Sequence, residues 1–252
     1  MHTRGMTWFN VSALCGALFL AGCDSLVMPD FTSSGILAAP ATPTATPNPT
    51  ATPAPTPTPI PAIAYVSGMG SRSGSFTVSA PAKSTLIIYV AGDPGHDVSG
   101  GGLTWTPVIG PTDFQGSLNM YVAYSASALT SVSISYGSGW DGWIDVFTGV
   151  DSTNPIDQVT SFTPGADNPS PAITPTVDNS MVIGVLDDWS DGAMTAGSGF
   201  TAGDAYVNDQ SGFTMLGIYG NTTATNGQAT HANFTWVNGS GVGIIANLRN
   251  GL

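Results

Sequence analysis

Glutamate is missing altogether from this 252-residue chain, and lysine occurs once, at Lys83. Every acidic residue is Asp, a turn and cap former, and 32 Gly and 19 Pro accompany it. Glu and Lys are strong helix formers, so this shortage excludes a helix-rich domain. Charge is scarce too. Only 8% of residues carry it, and the formal net charge is −12. Beyond the N-terminal segment the cations are Arg72, Lys83 and Arg249, too few for a basic groove, so nucleic acid is excluded as a partner. Cysteine is confined to Cys15 and Cys23, so nothing downstream forms a disulfide or a thiolate zinc cluster. No G-x-S-x-G elbow is present, and the isolated His96 and His231 make a poor metal site. A Ser-His-Asp triad can be assembled only by free choice among many Ser and Asp residues.

What the chain does have begins with an address. Residues 1–22 carry Arg4, an apolar run from about Val11 to Leu20 and a small-residue ending. That pattern predicts a secretory signal, too short and wrongly flanked for a transmembrane helix. The ending Leu20-Ala21-Gly22-Cys23 resembles the lipobox of bacterial lipoproteins. The resemblance implies cleavage before Cys23, lipidation of its thiol with a diacylglycerol anchor, and attachment to a bacterial membrane facing periplasm or cell exterior.

Residues 23–62 form the lipidated N-terminus and a linker. From Ala39 to Ala62 the chain reads "APATPTATPNPTATPAPTPTPIPA". Proline fixes φ and removes backbone donors, so the segment is expected near polyproline II. At roughly 3.1 Å per residue it would span on the order of 70 Å, a stalk holding the following domain away from the membrane. Mucin-like stalks of this composition are often glycosylated on threonine.

From Ile63 the pattern changes to period two. In "SVSISY" Val132, Ile134 and Tyr136 alternate with serines, and "SFTVS" does the same with Phe76 and Val78. These are half-buried strands. "TLIIYVA" (85–91) and "SMVIGVL" (180–186) are apolar on both faces and read as central strands. About ten such segments separated by Gly, Asn, Asp, Ser and Pro predict an all-β fold, an antiparallel β-sandwich of jelly-roll type over 63–252. "GSGWDG" (137–142) matches G-x-G-x-x-G but leads into another strand, so it reads as a glycine-rich hairpin turn and not a dinucleotide loop. "GGGLTWTPV", "YSASALTSVSISY", "WDGWIDVFTGVDSTNPID" and "NSMVIGVLDDWSDG", in this order, resemble a β-sandwich module common in secreted and surface proteins of bacteria. That resemblance implies the fold and an extracellular setting, and carries over no catalytic residue.

The most suggestive polar stretch is "GVLDDWSDG" (184–192). As a calcium loop it would place Asp187, Trp189 and Asp191 at positions one, three and five. Trp189 and Ser198 stand where acidic ligands are needed, so it is no EF-hand, and calcium stays open only through an irregular set of carboxylates and carbonyls. No other cofactor is expected. The plainer expectation is a strand running out of the core into a polar loop. If the strand continues, Asp187 and Asp188 point to opposite faces, which does not suit a glycosidase pair. Asp145 in "WIDVF" shares a face with Trp143 and Phe147. A buried face would make it a candidate acid, while a solvent face with exposed aromatics is the plainer expectation. His231 is expected on a polar face with Asn233 and Thr235, with Phe234 and Trp236 towards the core.

Trp140 and Trp189 flank strands, where they either plug the core or present a ring to a sugar. The candidate ligand-binding set is therefore Trp140, Asp141, Asp187, Asp188, Trp189 and Asp191. The functional expectation is a membrane-anchored, non-catalytic module that binds a glycan or another extracellular ligand. A structural or spacer role in the envelope and a polysaccharide hydrolase are the alternatives.

Overall fold

The computed structural model describes residues 62–92, 97–110, 118–137, 141–163, 172–189, 193–203, 207–209, 213–236 and 241–251. All fall within the compact unit Thr56–Leu252. The signal segment, Cys23, the stalk, His96, Trp140 and Asp191 lie outside the described residues.

The fold is all-β and antiparallel, as the alternation predicts. Eight strands make a first half: β1 (Ala64–Ser71), β2 (Ser75–Ala80), β3 (Ser84–Ala91), β4 (Ser99–Gly100), β5 (Thr106–Ile109), β6 (Leu118–Ser125), β7 (Leu129–Ser135) and β8 (Gly142–Thr148). A second half follows with β9 (Ile156–Phe162), β10 (Ala172–Ile173), β11 (Met181–Asp188), β12 (Met194–Ala196) and β13 (Phe200–Ala202). It continues through β14 (Val207–Asp209), β15 (Phe213–Gly220), β16 (Thr230–His231), β17 (Phe234–Trp236) and β18 (Gly241–Leu248).

The two halves repeat one plan. The first builds a sheet in the order β1-β8-β3-β6-β5 and the second builds β9-β18-β11-β15-β13, with β14 also on β15. Outside the first lies β2-β7-β4, and outside the second lie the pairs β10-β16 and β12-β17. The entry into each central strand is built alike. Lys83 and Asn179 both take a positive φ, 61° and 57°. The next residue, Ser84 or Ser180, is fully buried and donates its hydroxyl to the carbonyl three residues back, Pro81 at 2.7 Å and Val177 at 3.2 Å. "TSVSISY" (130–136) and "THANFTW" (230–236) occupy corresponding strands. The sandwich thus repeats one topological plan in its two halves.

Three apolar layers hold these sheets together. The central one lies between the two large sheets and joins Ile87, Tyr89, Trp143 and Phe147 of the first half to Ile183, Val185, Met215 and Ile244 of the second. A second packs Phe76, Ile134 and Tyr136 of the outer sheet on Leu86, Ile88 and Ile144. The third packs Met194, Ala232 and Phe234 on Val182, Leu186 and Ile245. Both large sheets are therefore covered on both faces, which is why β3, β11 and β18 are buried at every position. Each fully buried large side chain contributes about 1.5–3 kcal/mol.

The contact between halves is reciprocal. β8 meets β15, the counterpart of β6, while β6 meets β18, the counterpart of β8. Such an exchange is the signature of a two-fold interface within one chain. Its keystone is Trp143, fully buried, whose indole lies close against Gly217 in β15 and Gly203. A Cβ at Gly217 would overlap Trp143 Nε1, so only glycine admits the ring there.

One sequence expectation is corrected. The glycine-rich segment before β8 is not a hairpin turn. β7 pairs with β2 and β4, whereas β8 pairs with β1 and β3, so the chain crosses from the outer sheet to the inner one. A short loop between two period-two strands is the same in sequence whether it folds back in one sheet or bridges two.

Candidate functional site

Two polar regions stand at opposite ends of the first sandwich. At the Ala91 end, Ala91 N–H donates to the Asp141 carbonyl, and at the other end Thr85 lies opposite Tyr124. Six residue steps along β3 separate them, about 20 Å at roughly 3.4 Å per residue.

The Ala91 end holds most of the sequence-predicted residues that are described. β11 does continue through Asp187 and Asp188, and alternation turns Asp187 towards the central layer with Ile183 and Val185, and Asp188 to the other side with Leu186. Both are buried, and so is Asp141. Arg72 Nε sits 3.0 Å from Asp141 Oδ1, an ionic contact not aligned as a hydrogen bond. Trp189 is half-buried, packs on the central layer and donates its indole N–H to Asp187 Oδ2 at 3.1 Å. Asp187 Oδ1 has no hydrogen-bond partner. Burial, reinforced by the neighbouring charges of Asp141 and Asp188, pushes the Asp187 carboxyl up to about 7 against the opposing pull of Trp189 and Arg72. Burial also raises Asp141, with Arg72 opposing.

Asp141, Asp187 and Asp188 of the candidate ligand-binding set are thus all buried. β15 and β18 flank β11 as far as Asp188, and the two carboxylates lie on the two covered faces of that sheet. Among the described residues no three His, Cys, Asp or Glu side chains converge as a metal site.

Asp145 is corrected as well. It is buried, and Trp143 Nε1 donates to its Oδ1 at 2.8 Å. The face it shares with Trp143 and Phe147 is covered by the second half, not by solvent. Its charge and, above all, burial raise Tyr89, whose hydroxyl is buried without a hydrogen-bond partner. Asp145, Trp143 and Tyr89 are sealed in the molecule's centre. His231 and Asn233 are exposed, and Ala232 and Phe234 are buried, as the alternation predicts.

The other end is open. Tyr124, half-buried at the end of β6, stands between two hollows that share it together with Ser152 and Thr153. One, of about 820 Å³, is bounded by Lys83, Thr148, Asp151 and Asn154, and the other, of about 270 Å³, by Thr104, Thr106 and Pro155. The segment joining the two halves borders both, and the pair of hollows is called the Tyr124 groove. That segment is fixed. Asp151 Oδ1 accepts the N–H groups of Thr153 at 2.8 Å and Asn154 at 3.1 Å, an Asx turn. The segment is laced to the residues just after β18 by Asp151 N–H to the Arg249 carbonyl, Arg249 N–H to the Pro155 carbonyl and Gly251 N–H to the Gly149 carbonyl. Arg249 also pairs with Asp157 at 3.2 Å. Burial works against the Asp157 charge, but hydrogen bonds from Thr176, Asn247 and Arg249 win and hold that carboxyl low.

A further hollow of about 390 Å³ lies in the second half beside Phe200, Thr230 and His231. Its aromatic is packed on the third layer, so the ring is committed to the core.

The groove residues were not selected by sequence reasoning. "GVDSTNPID" and "YSAS" read as ordinary turn and strand end, and nothing local shows that a segment twenty-seven residues on folds beside Tyr124. Comparison with protein-family models, curated proteins and solved structures finds no match to this chain.

Proposed function

We propose that this chain is a lipid-anchored, extracytoplasmic, non-catalytic β-sandwich module that binds a glycan or another extracellular ligand. The anchor rests on Leu20-Ala21-Gly22-Cys23 behind an apolar run, and the projection from the membrane on the Pro/Thr stalk. One observation carries the binding reading: two adjoining hollows that share Tyr124, bordered by a hydrogen-bonded segment and by hydroxyl and amide side chains. A ring with both apolar face and polar tip suits a ligand that is itself apolar on its faces and hydroxylated at its rim, as a sugar is. Preformed walls reduce the ordering cost of binding.

The test uses the full chain expressed in a bacterium. Labelled fatty acid enters the wild type and not Cys23→Ala, and the detergent-solubilised protein is retained on at least one insoluble or soluble polysaccharide. Release of reducing ends from the same polymers would establish a hydrolase instead. Absence of retention on every polymer would place the envelope spacer role first. Trp189→Ala in the same assay separates the sequence-based site from the Tyr124 groove.

A further inference from the structure

We infer that the Tyr124 groove takes an uncharged glycan chain, with an internal sugar of the chain at Tyr124. This deepens the binding reading and rests on it.

Position comes first. Tyr124, Ser152 and Thr153 border both hollows, so Tyr124 has open space on two sides. A ligand centred on Tyr124 extends into space on either side, about 820 Å³ on one and 270 Å³ on the other. A single terminal sugar would leave one hollow empty. A chain fills both.

Charge decides the class. Among the described residues, the ionisable groups bordering the groove apart from Tyr124 are Lys83 and Asp151, one of each sign. The Asp151 carboxylate is already engaged, through Oδ1, with two backbone N–H groups. The surrounding molecule carries a net −12, which repels a polyuronate or a sulfated polymer. What remains is neutral donors and acceptors: Thr104, Thr106, Thr148, Ser152, Thr153 and Asn154. Hydroxyl and amide groups both give and accept hydrogen bonds, which matches sugar hydroxyls and needs no counter-charge.

The experiment measures affinity of the full, detergent-solubilised chain for a neutral glucan, mannan and xylan, for neutral oligomers of graded length, and for a polyuronate and a sulfated glycan. Expected is binding to a neutral polymer, with affinity climbing with oligomer length to a plateau. Tyr124→Ala loses it by about tenfold or more, and Tyr124→Phe retains most of it. Asn154→Ala, an exposed change with no bearing on the core, weakens it by several-fold, and His231→Ala in the second half leaves it unchanged. Circular dichroism checks that each variant is folded. Binding to charged polymers alone, neutral binding untouched by Tyr124→Ala, or a monosaccharide as tight as the polymer would each overturn this inference while the binding reading survives. Failure to bind any glycan would overturn both.

Discussion

Asp187 is the residue whose environment speaks most directly to solution behaviour. Its carboxyl is raised from the ordinary 3.8 to about 7 by burial and by Asp141 and Asp188. Between those values the folded chain holds a proton that the unfolded chain has lost, so stability falls as pH rises from about 4 to 7. A buried, unscreened group of this kind shifts stability by about 2–4 kcal/mol across that window. Asp157 works in the opposite sense. Its carboxyl is held low, so its contribution is present above about 4 and fades in stronger acid. Asp187→Asn should therefore flatten the decline towards neutral pH and make the protein more stable than wild type at pH 8, as read from urea midpoints. An unchanged slope would show that Asp187 is not the titrating group. The sequence gives the two aspartates and their strand, and alternation even assigns their faces. It does not show that both faces of that sheet are covered by other layers, nor that the face carrying Asp145 is roofed by another sheet. Burial of one strand is decided by residues far along the chain.

At the level of elements, the paired turns before β3 and β11 offer a controlled comparison. Ser84 and Ser180 each satisfy a turn carbonyl from a fully buried hydroxyl. Replacing either by Ala leaves that carbonyl without its partner and should cost about 1 kcal/mol. The two turns share no partner, so the double variant should lose the sum, about 2 kcal/mol, in equilibrium unfolding. A marked departure from additivity would mean that the turns communicate through the central layer. Strands of seven or eight residues were legible because their apolar runs are long enough to show a period, β3 and β11 above all. β4, β10 and β16 span two residues each, shorter than one repeat of any pattern, and only their partners define them. The repeat was legible in principle through the Lys83-Ser84 and Asn179-Ser180 turns, yet those pairs look unrelated until the positive φ they share is known.

For the whole molecule, the decisive fact is that one apolar layer belongs to both halves. Neither large sheet would have its inner face covered without the other. Heat or urea should accordingly melt the domain in one step, with tryptophan fluorescence and far-ultraviolet circular dichroism giving coincident curves. Two separated transitions would show that each half is stable alone. Strand partners distant in sequence, such as β1 with β8, also predict slow folding, in the millisecond-to-second range.

The duplicated plan has a consequence for how such a molecule diversifies. A symmetric pair of identical chains displays every surface feature twice, and any change at the shared interface strikes both copies at once. Fused in tandem, the two copies are released from that constraint. Continuing the β11–β15 register from Ile183 opposite Tyr219 brings Asn221 to the place that Tyr124 holds in the first half. Asn221 is tied there to Thr201. One half holds an aromatic beside open space while the other holds an asparagine bonded to Thr201 at the same position, a difference that a dimer of identical subunits cannot reach.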